Sequence, residues 1–340
     1  MLSWRLILYP FSVLHGAVLW VRHAAYNAGF KSSQRAPMKT LVFGNIAVGG
    51  TGKTPHAANT LLNLKDVGKL AFLSRGYGRT TRGFRLIDSQ STSDEVGDEP
   101  LMLAARFPEI PCFVGEDRLL ALKAIQDHCH PDVVVLDDAL QHRRLIPDCA
   151  VLLTTWDRPY FDDVLLPAGR LRDLKSRVKS AHAVIVSKCP SEISEKEKLE
   201  FREKLGLSKA QAIFFTGLQY GTPKGLYDQW EFDSTAQFQL VSGIANPHLF
   251  QKHVQHSWKV DRSFEYPDHH TFSTKEINQW MQNDNGQYTN VLTTEKDAMR
   301  LKHVVLPANL RIFYVPIDVQ FIGLNEQARF NDFVATTLGR

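Results

Sequence analysis

The chain is poor in cysteine: its 340 residues include only Cys112, Cys129, Cys149 and Cys189. No two of these form a C-x-x-C pair, which argues against a zinc site or a thioredoxin-type centre. So few thiols in so long a chain read as reduced, buried side chains of a reducing compartment. Internal repeats and low-complexity tracts are also absent, which excludes solenoids and linker-like arrays. No segment combines low hydrophobicity with high net charge, so none reads as disordered. Charge of either sign is nearly balanced, 40 Lys+Arg against 36 Asp+Glu, for a net of +4. There is no dense Lys/Arg stripe and no aromatic stacking motif, so no nucleic-acid partner is expected. The mild basic excess fits an ordinary surface, or attraction to phosphates or an anionic membrane face. Hydrophobic residues make up 44%, enough for a globular protein with two cores.

Long apolar runs are scarce. The one at the amino terminus, Leu6 to Val21, is uncharged and bounded by Arg5 and Arg22. As a helix it reaches roughly 24 Å, short of the roughly 30 Å hydrocarbon core of a bilayer. Pro10 and His15 interrupt it, and the basic pair Arg22-His23 directly after it argues against a secretory signal. Two readings stand. One is a buried structural helix. The other is a helix lying in the membrane surface, with Trp4, Tyr9, Phe11 and Trp20 as interfacial anchors and Arg5, Arg22, Lys31 and Arg35 near headgroups.

After Pro37 short apolar runs alternate with amphipathic segments. Strands are predicted at 40–46, 70–74, 110–114, 132–137, 149–155 and 182–187, and helices at 54–67, 98–106, 116–129 and 192–205. This alternation predicts an α/β fold, a mainly parallel sheet flanked by helices as in phosphate-loop NTPases. Val133 to Leu136 has the continuous apolar character of a strand buried on both faces. The turn-rich stretch 221–235 reads as a linker. Beyond it, strands at 238–243, 290–293 and 311–315 and helices at 247–255, 273–283 and 324–337 suggest a smaller α/β unit. The expected organisation is an amino-terminal helix over 1–35, a nucleotide-binding domain over 36–220 and a smaller domain over 236–340.

The segment Ala47-Val48-Gly49-Gly50-Thr51-Gly52-Lys53-Thr54 ends as a Walker A loop ends, with Ala47 where the first glycine usually stands. A strand precedes it and a helical pattern follows. Its glycines let N–H groups from Val48 to Thr54 converge on phosphate oxygens at the positive end of a helix dipole. Lys53 would reach the β- and γ-phosphates, and the Thr54 hydroxyl would ligate Mg²⁺. Asp137-Asp138 closes the apolar run 133–136 as a Walker B element does, supplying a carboxylate for the same ion. The base-reading N-K-x-D of guanine-nucleotide switches is missing, since Ser187-Lys188-Cys189-Pro190 lacks both Asn and Asp. No D-x-x-G follows the second strand motif either. An adenine nucleotide and a kinase of a small acceptor therefore fit better. A partner-driven ATPase and a soluble metabolite kinase are the rivals; nothing in the sequence demands an obligate protein partner.

Further motifs carry a family likeness. They are Gly44-Asn45 before the loop, Leu73-Ser74-Arg75-Gly76-Tyr77-Gly78-Arg79, Val96-Gly97-Asp98-Glu99-Pro100, and Asp137-Asp138-Ala139-Leu140-Gln141-His142-Arg143. Leu166-Pro167-Ala168-Gly169-Arg170-Leu171-Arg172, Asp268-His269-His270-Thr271-Phe272 and Thr293-Thr294-Glu295-Lys296-Asp297-Ala298 complete the set. In this order the sequence resembles the tetraacyldisaccharide 4′-kinases, the lipid A 4′-kinases of Gram-negative bacteria. Asp173-Leu174 departs from the Glu-Pro of the family pattern. The resemblance implies ATP and Mg²⁺ as cofactors and a tetraacylated glucosamine disaccharide 1-phosphate as acceptor. Its 4′-hydroxyl would be phosphorylated to lipid IVA at the cytoplasmic face of the inner membrane. The resemblance makes Asp98 the base and His269 its partner, with His270 as the alternative. It places Asn45, Arg75, Tyr77, Arg79, Gln141, Arg170 and Arg172 on the substrate side, where guanidinium forks suit phosphate. The smaller domain would close on ATP and exclude water.

Overall fold

A computed structural model describes residues 3–64, 68–281, 288–302 and 304–339. The chain opens with helix α1 (Ser3–Asn27), then β1 (Lys39–Asn45), α2 (Lys53–Asn63), β2 (Leu70–Ser74), β3 (Arg85–Leu86) and α3 (Ser93–Val96). There follow α4 (Asp98–Arg106), β4 (Cys112–Val114), α5 (Arg118–Cys129), β5 (Val133–Asp137), β6 (Cys149–Thr155) and β7 (Ala183–Ser187). Next come α6 (Glu195–Lys204), β8 (Ala212–Tyr220), β9 (Lys224–Gly225), β10 (Gln237–Ser242), α7 (His248–Ser257) and β11 (Lys259–Glu265). The last are α8 (Thr274–Trp280), β12 (Thr289–Thr294), α9 (Glu295–Leu301), β13 (Leu310–Val315), β14 (Ile317–Phe321) and α10 (Glu326–Leu338).

Nine strands form one sheet in the order β14-β8-β7-β6-β1-β5-β2-β4-β3, parallel except at its two edges. Every residue of β5 is buried, as the apolar run 133–136 requires when helices cover both faces. β1 lies between β5 and β6 with Phe43 opposite Asp137, so the loop after β1 and the acids after β5 emerge side by side. This is the crevice at the carboxyl ends of parallel strands where open α/β sheets bind ligands.

A second sheet, β11-β10-β12-β13-β9, carries α7, α8 and α9. Its core includes fully buried Trp280, whose indole N–H donates to the Tyr266 hydroxyl at 2.9 Å. The expected linker over 221–235 is not free: Lys224 and Gly225 pair with Tyr314 and Phe313. Two residues are too few to show a strand period in sequence. The expected smaller domain over 236–340 also needs correction. After β13 the chain returns to the large sheet as β14, antiparallel to β8, and α10 packs beside it. Phe214 on β8 anchors the return, with its ring 6.1 Å from Phe321 and 5.1 Å from Phe330. Burying one such side chain contributes ~2–3 kcal/mol. The expected ends of the helices over 54–67 and 273–283 lie partly outside the described residues.

α1 inverts the usual polarity of a surface helix. Its buried stripe is Ser12, Leu19 and His23, with Gly16 against Leu165, while Ile7, Phe11, Leu14, Val18, Trp20 and Val21 face outward. Polar contacts join the apolar ones on the inner face. Ser12 Oγ donates to the Leu165 carbonyl at 2.8 Å, and His23 Nε2 lies 2.6 Å from Asp173. Among the described residues, no helix is long and apolar enough to cross a membrane. The side chains of Trp4 and Arg5 lie outside the described set.

Candidate active site

The phosphate loop is held from beneath on every side. Val48 N–H donates to the Arg170 carbonyl and Arg172 N–H to that of Ile46, both at 2.8 Å. The Asn45 amide donates to Thr51 Oγ1 at 3.0 Å, and Ser187 Oγ to the Thr51 carbonyl at 2.7 Å. Gly49 and Gly52 have φ of 110° and 85°, a left-handed backbone that glycine adopts without steric cost. At Gly49 and Gly50 an added Cβ would meet nothing within 4 Å, so the loop faces open space of the kind a phosphate needs. His56, buried in the first turn of α2, lies 2.6 Å from the Gly52 carbonyl and 2.9 Å from the Thr216 hydroxyl. A carbonyl only accepts, so Nδ1 carries the proton and Nε2 accepts from Thr216. Burial brings His56 down to about 4, which keeps it neutral and prevents a fixed cation beneath the loop.

The two carboxylates after β5 have different neighbours. Thr54 Oγ1 donates to Asp137 Oδ2 at 3.1 Å, and Asp137 Oδ1 is buried without a hydrogen-bond partner. Burial pushes the Asp137 carboxyl up; Lys53 pulls it back, and Glu99 and Asp138 add to the rise. An orphaned carboxylate oxygen beside a hydroxyl is a hard oxygen pair that suits Mg²⁺. Asp138, in a left-handed turn with φ of 50°, is taken up by cations. Arg172 clasps both of its oxygens, and Lys53 Nζ lies 3.8 Å away. Although burial raises Asp138, the Arg172 bond, then Lys53, hold it below the usual carboxylate range. Of the three expected metal ligands, Thr54 and Asp137 thus have the fitting geometry, and Asp138 serves as the counter-charge of Lys53 and Arg172.

Asp98 stands at the start of α4, directly after Gly97, whose φ is 90° and where a Cβ would come within 3.0 Å of the Tyr77 carbonyl. That close approach seats the Arg75–Arg79 loop against the helix start. Asp98 Oδ2 lies 2.7 Å from His269 Nδ1, and Arg300 on α9 reaches both carboxylate oxygens. Lys296 Nζ is 3.8 Å away. Burial raises the Asp98 carboxyl, but the Arg300 bond and charge, Lys296 and His269 outweigh it and hold it low. β2 runs parallel to β5, as β1 does, so the loop after β2 that seats Asp98 leaves the sheet at the same edge as the phosphate loop. His270 points elsewhere: it meets Glu276 at 3.0 Å and stacks on Tyr266, which makes it a support of α8.

The residues expected on the substrate side divide. Arg75 and Tyr77 are exposed, and the Tyr77 ring is 6.0 Å from that of His269. Arg79 is instead drawn to Glu116 and the Gly83 carbonyl, and Arg170 to Asp163. Arg172 is held by Asp138 and Asn45. Gln141 donates to the Asn45 carbonyl at 2.7 Å and accepts from Arg22 on its own carbonyl at 2.9 Å. These three arginines and Gln141 are therefore engaged within the protein, Arg172 and Gln141 directly on Asn45, which ends the strand before the phosphate loop. Arg170 finds Asp163 only seven residues away, but Arg172 and Gln141 meet Asn45 across 127 and 96 residues, pairings that no spacing in the sequence shows. Lys296 falls within the motif at 293–298, but Arg300, four residues on along α9, lies beyond every motif of the sequence. Arg118, buried at the start of α5, donates to the Gly115 and Glu116 carbonyls and is brought down to about 10 by burial.

The family model of the tetraacyldisaccharide-1-P 4′-kinases, LpxK, matches residues 4–338. The chain belongs to this family. The tetraacyldisaccharide 4′-kinase of Flavobacterium johnsoniae is 36% identical over 333 residues, covering 96% of this chain and 95% of that one. The tetraacyldisaccharide 4′-kinase of Bacteroides thetaiotaomicron is also 36% identical, over 96% of this chain and 91% of its own. Among solved structures, LpxK from Aquifex aeolicus in complex with ATP matches with a TM-score of 0.79. It is 24% identical and covers 99% of this chain and 100% of that one, a likeness of fold. The kinase family and the fold thus agree with the crevice between β1 and β5.

Proposed function

We propose that the chain transfers the γ-phosphate of ATP to the 4′-hydroxyl of a tetraacylated glucosamine disaccharide 1-phosphate, forming lipid IVA and ADP. The observation that carries this reading is Asp98, paired with His269 and seated on the loop after β2, at the same edge of the sheet as the phosphate loop. A carboxylate so placed can take the proton of an acceptor hydroxyl. The Val48 N–H, expected on phosphate, is taken by the Arg170 carbonyl; the N–H groups from Gly49 to Thr54 and Lys53 hold and neutralise the phosphates while the acceptor oxygen lines up with the γ-phosphorus. Thr54 and Asp137 would hold Mg²⁺, which supplies further neutralisation of charge on the β- and γ-oxygens. Asp98 accepts the hydroxyl proton; although a weak base, it suffices because the transition state is loose and the acceptor bond forms late. His269 orients it through Nδ1–H, and Arg75 and Tyr77 line the exposed approach to the pair. In mixed micelles with γ-³²P-ATP, Mg²⁺ and the disaccharide 1-phosphate, label should move to the lipid. ATP hydrolysis with unlabelled lipid would instead favour a partner-driven ATPase.

We further propose that α1 lies in the cytoplasmic surface of the bacterial inner membrane, where the acyl chains stay while the sugar enters the crevice. Its outward apolar face supports this, because such a face gains free energy only by leaving water. Replacing Phe11, Leu14 and Val18 together by Glu should cut co-sedimentation with phosphatidylglycerol vesicles at least ~10-fold, given the cost of placing charge in the interface. Wild-type protein that stays in the supernatant would end this reading.

A further inference from the structure

Arg300 is buried where α4 meets α9, and its guanidinium bridges the layers of the two sheets. Nε donates to Asp98 Oδ1 at 3.0 Å and Nη2 to Asp98 Oδ2 at 2.5 Å. Nη1 donates to Asp297 Oδ1 at 2.7 Å and to the Gly243 carbonyl at 3.0 Å. Asp297 is itself fixed, accepting from Gly243 N–H at 2.9 Å and from the Thr294 hydroxyl at 2.7 Å. Gly243 follows β10 and Thr294 ends β12, so the arginine is anchored wholly in the second sheet, while Asp98 belongs to the first.

We propose that Arg300 is a positioning residue of the transfer reaction: its fork sets the orientation of Asp98 and ties it to the seating of the small sheet on the large one. The inference rests on the reading of Asp98 as the base. A carboxylate offers about four lone-pair directions. Arg300 takes one on each oxygen and His269 a second on Oδ2, so among the described residues Oδ1 accepts a single bond. Oδ1 is therefore the oxygen that receives the acceptor proton. A lysine could keep the charge but not the two-point geometry.

The charge environment adds a signature that a purely structural arginine would not give. Asp98 meets Arg300 and Lys296 from α9 and His269 from the segment before α8; behind these stand Asp297 on Arg300, Asp268 on Lys296 and Tyr77 against His269, with Glu99 next on its own helix. Burial alone pushes this carboxyl up, and Arg300 is the strongest opposing influence. Without Arg300, burial dominates and Asp98 takes a proton at higher pH.

The test is kcat and KM against pH for the full chain, in wild type, Arg300→Gln, Arg300→Lys and Asp98→Asn. Arg300→Gln should lower kcat on the order of 100-fold, the loss typical of a misplaced reacting group. It should also move the acid limb of kcat to higher pH and leave KM for ATP unchanged. Arg300→Lys should restore the position of the acid limb without restoring kcat. A fall in kcat with the acid limb unmoved in Arg300→Gln would overturn the proposal. If Arg300→Gln does not fold, Arg300→Lys decides: wild-type kcat there shows that charge alone suffices and the fork does not position Asp98. Wild-type kcat in Asp98→Asn would remove the base itself, an outcome separate from either of these.

Discussion

Replacing Asp98 with asparagine should lower kcat for transfer to the lipid by about two to four orders of magnitude, the range lost with a general base. The change is nearly isosteric, and the Asn carbonyl can still accept from Arg300, which keeps Asp297 and the Gly243 carbonyl as partners. The helix start and the loop around Tyr77 should therefore persist, and ATP should bind as before, because the phosphate loop draws on Asn45, Ser187 and His56 for its shape. Binding of a fluorescent ATP analogue and a thermal melt would separate loss of chemistry from loss of fold. His269→Gln should cost less, ~10-fold, since an orienting partner is removed and the base remains. Undiminished kcat in Asp98→Asn would assign the proton to another group.

The second large effect is expected at Lys53. Lys53→Met should lower kcat/KM by roughly 10²–10³, the loss seen when one donor to a developing anion is removed from a preorganised site. Asp138 keeps its two-point contact with Arg172, so the variant should retain the crevice. Asp137 loses the cation that pulls its carboxyl down and should be still harder to ionise. That change weakens the Thr54–Asp137 pair as a Mg²⁺ holder, so the apparent Mg²⁺ requirement should rise in steady-state titrations. If KM alone rises with kcat intact, Lys53 binds ground and transition states equally and does not stabilise the transfer.

Much of the first sheet was legible because its signals are local. The run 133–136 reads as a doubly buried strand, and Gly49, Gly50 and Gly52 permit a backbone that few other residues adopt. Other elements left fainter traces. β8 shows only the short run Ile213-Phe214-Phe215, and β14 alternates over just Ile317, Val319 and Phe321. β11 alternates half-buried and exposed residues as an edge strand, and α9 has seven residues, too few to display a helical period. Yet α9 carries Arg300, and β14 decides that the chain's end belongs with the large sheet.

By itself the sequence determined the phosphate loop, the acids after β5 and the family, because each is written within a few consecutive residues. It named Asp98 and left His269 and His270 as alternatives. Only the tertiary structure chose between them, placing His269 on Asp98 across 171 residues and Arg300 across 202. It also decided that Arg79, Arg170 and Arg172 pair with Glu116, Asp163 and Asp138 while Arg75 remains exposed. Such assignments are pairings between charges that packing brings together, and a buried charge must find a partner that linear spacing does not specify.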